Sequence, residues 1–191
     1  MQNSQSKWSH PHRWQHASLT LRQPSHRALR SWLAEPGSLT ARLAALAHAL
    51  GGELRITVVH EGWHLPRAEE ARALGLRRGE FAWIREVVLS GLNQPWVQAR
   101  SVLPRDSLQG LNRRLTRLGT QSLGSLLFRD PALVRGRIYY ARLMLPSTSN
   151  QQTPVWARRS RFILRGRAVL VAEAFLPALL AASAMTETRK P

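Results

Sequence analysis

The segment VLVAEAFLP, residues 169–177, carries a carboxylate on a strand that has no solvated side to put it on. With the two-residue period of a strand, Val169, Val171 and Phe175 share a face with Glu173. Ala168, Leu170, Ala172, Ala174 and Leu176 fill the other face. FAWIREVVL, residues 81–89, repeats the pattern with the opposite charge: Phe81, Trp83, Val87 and Leu89 share a face with Arg85. An unpaired carboxylate or guanidinium is costly to bury, so such groups are paired or line a ligand cavity. Two readings follow. Either Arg85 and Glu173 pair with each other as a structural bridge, or they stand at opposite ends of a small, mostly apolar pocket. Such a pocket suits a compact anion with a hydroxyl or proton to be handled opposite its carboxylate.

Other chemistries have few residues to run on. Cysteine is absent, which excludes disulfides, thiol nucleophiles and thiolate metal sites. The only lysines, Lys7 and Lys190, sit at the chain ends, so no Schiff-base lysine is expected in a core. His48, His60 and His64 are scattered, and no metal cluster or metal cofactor is expected. Ser160 has no evident histidine partner. Trp83 and Trp156 read as core aromatics, and Arg158 and Arg159 are assigned no role.

The elements that must position Arg85 and Glu173 follow from periodicity and turn residues. At 191 residues and 43% hydrophobic composition, the chain suits one domain with a substantial core. Residues 1–25 are polar and aperiodic, with no apolar signal segment, and are expected to form a loose tail; its His10, His12 and His16 read as tail residues. The domain proper is expected over 26–180, with a C-terminal tail over 181–191. Two helices flank Pro36-Gly37, Ser38 is placed to cap the second, and Gly51-Gly52 ends it. LRITVVHEGW is a strand, and PRAEEARALGLRRGE is a helical turn and loop. Residues 81–104 form a hairpin. SLQGLNRRLTRLG, residues 107–119, is expected to be one amphipathic helix with Leu108, Leu111, Leu115 and Leu118 inward, followed by a short turn or helix at SLGSLLF. Two more strands follow, separated by the polar loop PSTSNQQTP, and Arg165-Gly166 turns into the strand that holds Glu173. The expected fold is α+β: an antiparallel sheet flanked by helices that cover an internal site.

The net charge of +17 comes almost wholly from arginine spread along the chain. No zinc-finger spacing, RNP-type aromatic motif or helix-turn-helix accompanies it, so no dedicated nucleic-acid binding is expected. The longest apolar run is broken by Glu173 and Pro177, so no membrane insertion is expected either. A cytoplasmic monomer is the expectation.

GSLT at 37–40, WIREVVL at 83–89, PWVQARSVLP at 95–104, LGTQSLGSLLF at 118–128, WARRSRF at 156–162 and LVAEAFLP at 170–177 together resemble the chorismate lyase family. The resemblance runs from about Trp32 to Pro177, in order and at compatible spacings. It implies cleavage of chorismate to 4-hydroxybenzoate and pyruvate, a first committed step towards ubiquinone, without a metal or organic cofactor. It implies an internal site under helical flaps, with Arg85 holding the ring carboxylate and Glu173 near the ring hydroxyl. Leu39 and Leu123 would contact the ligand through backbone groups. Ser122 stands where the family pattern leads one to expect proline. Arg100, on the second hairpin strand with Trp96, Gln98 and Val102, would either meet the enolpyruvyl carboxylate or serve structurally. The alternative function on the same fold is a non-catalytic effector-sensing domain, as in some transcription regulators. Those normally carry an N-terminal winged helix, for which the polar residues ahead of Trp32 are expected to be too few.

Overall fold

The computed structural model describes residues 14–16, 27–145 and 153–187. Seven strands form one sheet: β1 (Gln15–His16), β2 (Leu54–His64), β3 (Ala82–Gly91), β4 (Gln94–Pro104), β5 (Leu133–Leu145), β6 (Thr153–Leu164) and β7 (Arg167–Phe175). Their order is β1-β5-β6-β7-β4-β3-β2, and every neighbouring pair is antiparallel. Five helices accompany them: α1 (Arg27–Leu33), α2 (Leu39–Ala49), α3 (Ala68–Leu74), α4 (Leu123–Leu127) and α5 (Pro177–Glu187). The architecture is the expected α+β arrangement.

Turn chemistry sets the register of the central hairpins. Leu92 and Asn93 take φ of 51° and 59° between β3 and β4. Arg165 and Gly166 take 52° and 75° between β6 and β7. Two successive left-handed residues give the turn whose twist matches a two-residue hairpin. A bulge displaces β3 against β4 between Leu89 and Ser90, and here Gly91 is required: a Cβ on it would lie 2.3 Å from the Trp96 ring.

α1, α2, α4 and α5 cover one face of the sheet. α2 buries Leu39, Leu43 and Ala47 at helical spacing, and the Ser38 side chain accepts from the Ala41 N–H at its start. α5 places Leu179 and Ala182 in the same core as Trp32, Trp96, Trp156 and Phe175. α3 covers the opposite face, where Leu74 packs with Ala82, Ile84, Val102 and Leu170. No helix among the described residues is long and apolar enough to cross a membrane.

Three expectations differ from the structure. Residues 107–119 do not form one α-helix; they break into 3-10 segments Arg105–Leu108 and Gly110–Thr116, separated where Gly110 takes a φ of 60°. Leu108, Leu115 and Leu118 are nevertheless buried. Within the expected N-terminal tail, Gln15–His16 pairs with Tyr139–Tyr140 as an edge strand, while His10 and His12 lie outside the described residues. The C-terminal boundary at 180 falls inside α5, which is tied down by the Trp32 Nε1–H donating to Ser183 Oγ at 2.9 Å. Most of the 146–154 loop lies outside the described residues.

Candidate active site

Strand register carries Glu173 and Arg85 to one face without letting them meet. One transverse row runs Tyr140, Arg158, Glu173, Ala99, Val87, Val58; the adjacent row runs Ile138, Ser160, Val171, Ser101, Arg85, Glu61. β4 lies between β3 and β7, so the two charges stand two strand spacings apart, about 9.5 Å across the sheet. The bridge between them is not formed. Each has another partner.

Arg85 is buried, 2% exposed. Its Nη1 donates to Glu61 Oε1 at 3.1 Å, and its Nη2 donates to the carbonyls of Gly119 at 2.7 Å and Gln121 at 3.0 Å. A guanidinium has five N–H groups, so these bonds leave donors for a bound anion. Glu173 Oε2 accepts from Arg158 Nε at 2.6 Å. Arg158, 1% exposed, also donates through Nη1 to the carbonyls of Trp32 at 3.2 Å, Leu33 at 3.3 Å and Glu35 at 2.8 Å. Glu173 is therefore not a lone carboxyl on an apolar face: its charge has a buried counterpart one strand away.

Arg85 and Glu173 both line a cavity between the sheet and the helical cover. Its remaining walls are mostly apolar, among them Ile56, Val87, Leu127, Phe128, Phe162 and Val171. The centre of a water-sized sphere has about 50 Å3 to move in. One water needs roughly 10–15 Å3 on that measure, so the space is on the scale of one small ring.

Leu39 and Leu123 line the same cavity, and each is the first residue of a helix. The N–H groups of a first turn have no intrahelical acceptor. Ser38 caps α2, and the Ser122 side chain caps α4 by accepting from the Ser125 N–H at 3.2 Å. The two helix starts touch through the Thr40 and Ser122 hydroxyls, 2.6 Å apart. Two helix N-termini and Arg85 thus give the cavity a positive pole, while Glu173 gives it a carboxyl pole.

Four of the five expected site residues, Glu173, Arg85, Leu39 and Leu123, surround this one cavity. Arg100 does not. It lies on the opposite face in a buried cluster, with Nε and Nη2 donating to Glu70 at 2.7 and 3.0 Å and Nη1 to Glu86 at 2.5 Å. Burial works against its charge, but the hydrogen bonds and charge of the two glutamates hold the guanidinium above its ordinary pKa. The expectation that it meets a substrate carboxylate is corrected: alternation places it beside Glu86, not beside Arg85.

Arg158 and Glu61 were missed. A two-residue turn at Arg165-Gly166 puts Arg158 opposite Glu173, and that arithmetic was available before the structure. Glu61 comes opposite Arg85 only after a bulge between Val58 and His60, which no motif announces. Among the described residues no group of three or more His, Cys, Asp or Glu is arranged to hold a metal ion.

An antiparallel sheet that closes an apolar chamber under paired helix starts, cationic at one end and carboxyl-bearing at the other, has the size and charge to suit a small ring-shaped anion. The model of the chorismate lyase family matches residues 10–184, and the chain belongs to that family. It is 46% identical over 173 residues to a probable chorismate pyruvate-lyase 2 of Pseudomonas entomophila strain L48, covering 89% of each chain. It is 46% identical over 151 residues to a probable chorismate pyruvate-lyase of Pseudomonas aeruginosa strain UCBPP-PA14, covering 78% of this chain and 83% of the relative. The fold is similar to the effector domain of PhnF from Mycobacterium smegmatis, with a TM-score of 0.50 at 17% identity, over 71% of this chain and 88% of that one. A second solved structure, a PhnF C-terminal domain, matches with a TM-score of 0.52 at 14% identity, over 67% of this chain and 86% of that one. These structures share the fold alone.

Proposed function

We propose that this chain is a chorismate pyruvate-lyase that converts chorismate to 4-hydroxybenzoate and pyruvate. Family membership and the curated relatives support the reaction. The observation that carries the assignment of residues is the two-pole cavity, with Arg85 and Glu173 facing one chamber from strands separated by β4.

The reaction is an elimination. The ring–oxygen bond of the enolpyruvyl ether breaks with its electron pair leaving on oxygen, and the ring loses the proton from the hydroxyl-bearing carbon. The enolpyruvate takes up a proton on carbon and becomes pyruvate. The ring becomes aromatic, which supplies the driving force, so the protein has to position, exclude water and move a proton. Arg85 and the first N–H groups of α2 and α4 hold the ring carboxylate. Glu173 faces the hydroxyl end and assists proton transfer there through the carboxylate oxygen not bound to Arg158. The apolar walls keep water from the ring.

Purified protein incubated with chorismate is expected to release 4-hydroxybenzoate and pyruvate in equal amounts. Glu173→Gln is expected to lower kcat by about 10²–10⁴-fold, the range for loss of a positioned acid–base group. Tight binding of 4-hydroxybenzoate without turnover would overturn the lyase reading and leave a sensor. Full activity of Glu173→Gln would overturn the role given to Glu173.

A further inference from the structure

Arg158 lines no part of the cavity, yet it is among the most deeply buried side chains of the molecule and touches two things at once. Through Nε it holds the Glu173 carboxylate, and through Nη1 it holds the last carbonyls of α1 and of the linker into α2. That linker runs directly into Leu39 and Thr40, which line the cavity. Resting on the proposed role of Glu173, we infer that Arg158 is a positioning residue that makes the placement of Glu173 conditional on closure of the α1–α2 segment over the site.

The linker is held together from within and tied to the sheet, beside the burial of Trp32, Leu33 and Leu39 in the core. Glu35 Oε1 accepts from the Gly37 N–H at 2.9 Å, and its Oε2 accepts from Arg42 Nη1 at 3.1 Å, so the turn is braced internally. Its polar ties to the sheet run through two arginines. Arg135 Nη1 donates to the carbonyls of Glu35 at 2.7 Å and Pro36 at 3.0 Å, while its Nε donates to Ser160 Oγ at 3.1 Å. Arg158 supplies the other attachment and continues by a hydrogen bond to Glu173, a carboxylate whose charge Arg135 also feels. Carbonyls at a helix C-terminus carry partial negative charge, so α1 in its closed position is an electrostatic partner for this buried cation.

If the α1–α2 segment lifts to admit a ring or release one, Arg158 loses all three carbonyl acceptors together. A buried guanidinium left with one acceptor group must shift towards water or draw Glu173 with it. Closure restores the carbonyls and returns the carboxylate to its place. The planar fork of arginine allows this double duty, since Nε and Nη1 point along different directions; a lysine ammonium reaches one partner well and the other poorly.

The test is a double-mutant cycle on the full chain, with Arg158→Lys and Glu173→Gln made singly and together. Arg158→Lys is expected to lower kcat about 10–100-fold with KM changed by less than about 3-fold, and to speed dissociation of 4-hydroxybenzoate. In the Glu173→Gln background the same substitution is expected to change kcat less than about 3-fold, because the residue it acts through is already disabled. Dissociation is still faster there, since the linker has lost its tether. Arg135→Gln, which leaves the pair with Glu173 intact, guards against a variant that does not fold. It is expected to speed dissociation, and to lower kcat when Glu173 is present but not in Glu173→Gln. Multiplicative effects of Arg158→Lys and Glu173→Gln on kcat would overturn the inference, as would an unchanged dissociation rate in both arginine variants. Full activity of Glu173→Gln alone marks instead the failure of the role assigned to Glu173.

Discussion

In the proposed function Glu61 shares the Arg85 guanidinium with the substrate carboxylate. Its Oε1 accepts from Arg85 Nη1 and, at 3.4 Å, from Trp83 Nε1, and so puts a negative charge beside the group that must attract a carboxylate. Neutralising it frees a donor and removes a repulsion worth on the order of 1 kcal/mol at partly solvated range. Glu61→Gln is therefore expected to tighten 4-hydroxybenzoate binding about 3–10-fold, measured by titration calorimetry; unchanged or weaker binding would show that Glu61 serves only to aim the arginine. Arg85→Lys keeps the charge but loses the fork that holds Gly119 and Gln121. It is expected to raise KM more than it lowers kcat, by about 10–100-fold for lost charge-assisted bonds. Arg85 and Glu173 were legible in the sequence because a charge on an apolar strand face contradicts its neighbours. Arg158 shows the same contradiction beside Trp156 and Phe162, but only pairing tells what it faces. Glu61 shows none, since it sits on an edge strand and a bulge sets its register.

At the scale of elements, the α2 and α4 starts share a hydrogen bond between two small hydroxyls beside the cavity. Thr40 and Ser122 bond each other at 2.6 Å, and Ser122 also caps α4. Ser122→Ala is expected to speed 4-hydroxybenzoate dissociation a few-fold, in line with one neutral hydrogen bond of about 1 kcal/mol. Thr40→Val, which loses the shared bond alone, should do so less than Ser122→Ala, which also loses the α4 cap, and the double variant no more than Ser122→Ala; additive effects in stopped-flow would refute this latch. Beyond α4, Asp130 ties its end to the β6–β7 turn. The Ala132 N–H at 3.0 Å and Arg165 Nε at 2.9 Å hold its carboxyl below the ordinary value of 3.8. A carboxyl lowered on folding contributes stability that is complete above its unfolded value and is lost as pH falls through its folded value. Asp130→Asn should thus lower the melting temperature at pH 7, with the difference from the parent closing as the pH falls below the ordinary carboxylate range; a gap independent of pH would refute the ion pair as its cause. Strands, hairpins and the capped α2 were legible because their signals are local. The 107–119 segment was not: leucine spacing alone fits an α-helix. The break comes from Gly110 in a left-handed conformation, next to Ser107, whose hydroxyl donates to the Ala168 carbonyl at 2.6 Å.

Across the whole molecule, the charge that composition presents as uniform is gathered towards one end of the sheet. Where β2 and β4 finish and β3 and β7 begin, Arg77, Arg78, Arg105 and Arg167 are exposed, as are Arg113 in the 3-10 segment that packs on the same end and Arg117 just after it. The opposite end, at the start of β2 and the Leu92-Asn93 turn, exposes Glu53 and Arg55. Counting arginines could not reveal this, because the asymmetry arises only when antiparallel strands bring distant segments to a common edge. Arg85 lies three residues from the β3 start, so the cationic pole of the cavity points towards the arginine-rich end. A field of that sense draws a dianion to the mouth of the site and leaves the enclosed chemistry alone, since charges beyond a Debye length of about 10 Å at 0.1 M salt are screened. Raising salt from about 20 to 500 mM is therefore expected to lower kcat/KM for chorismate several-fold while kcat changes little. Arg113→Glu combined with Arg117→Glu should lower kcat/KM at low salt and flatten its salt dependence, with the melting temperature held, because both side chains are exposed. Equal salt slopes for parent and double variant would show that the arginines take no part in capture, and that the cavity's own positive pole does all the attracting.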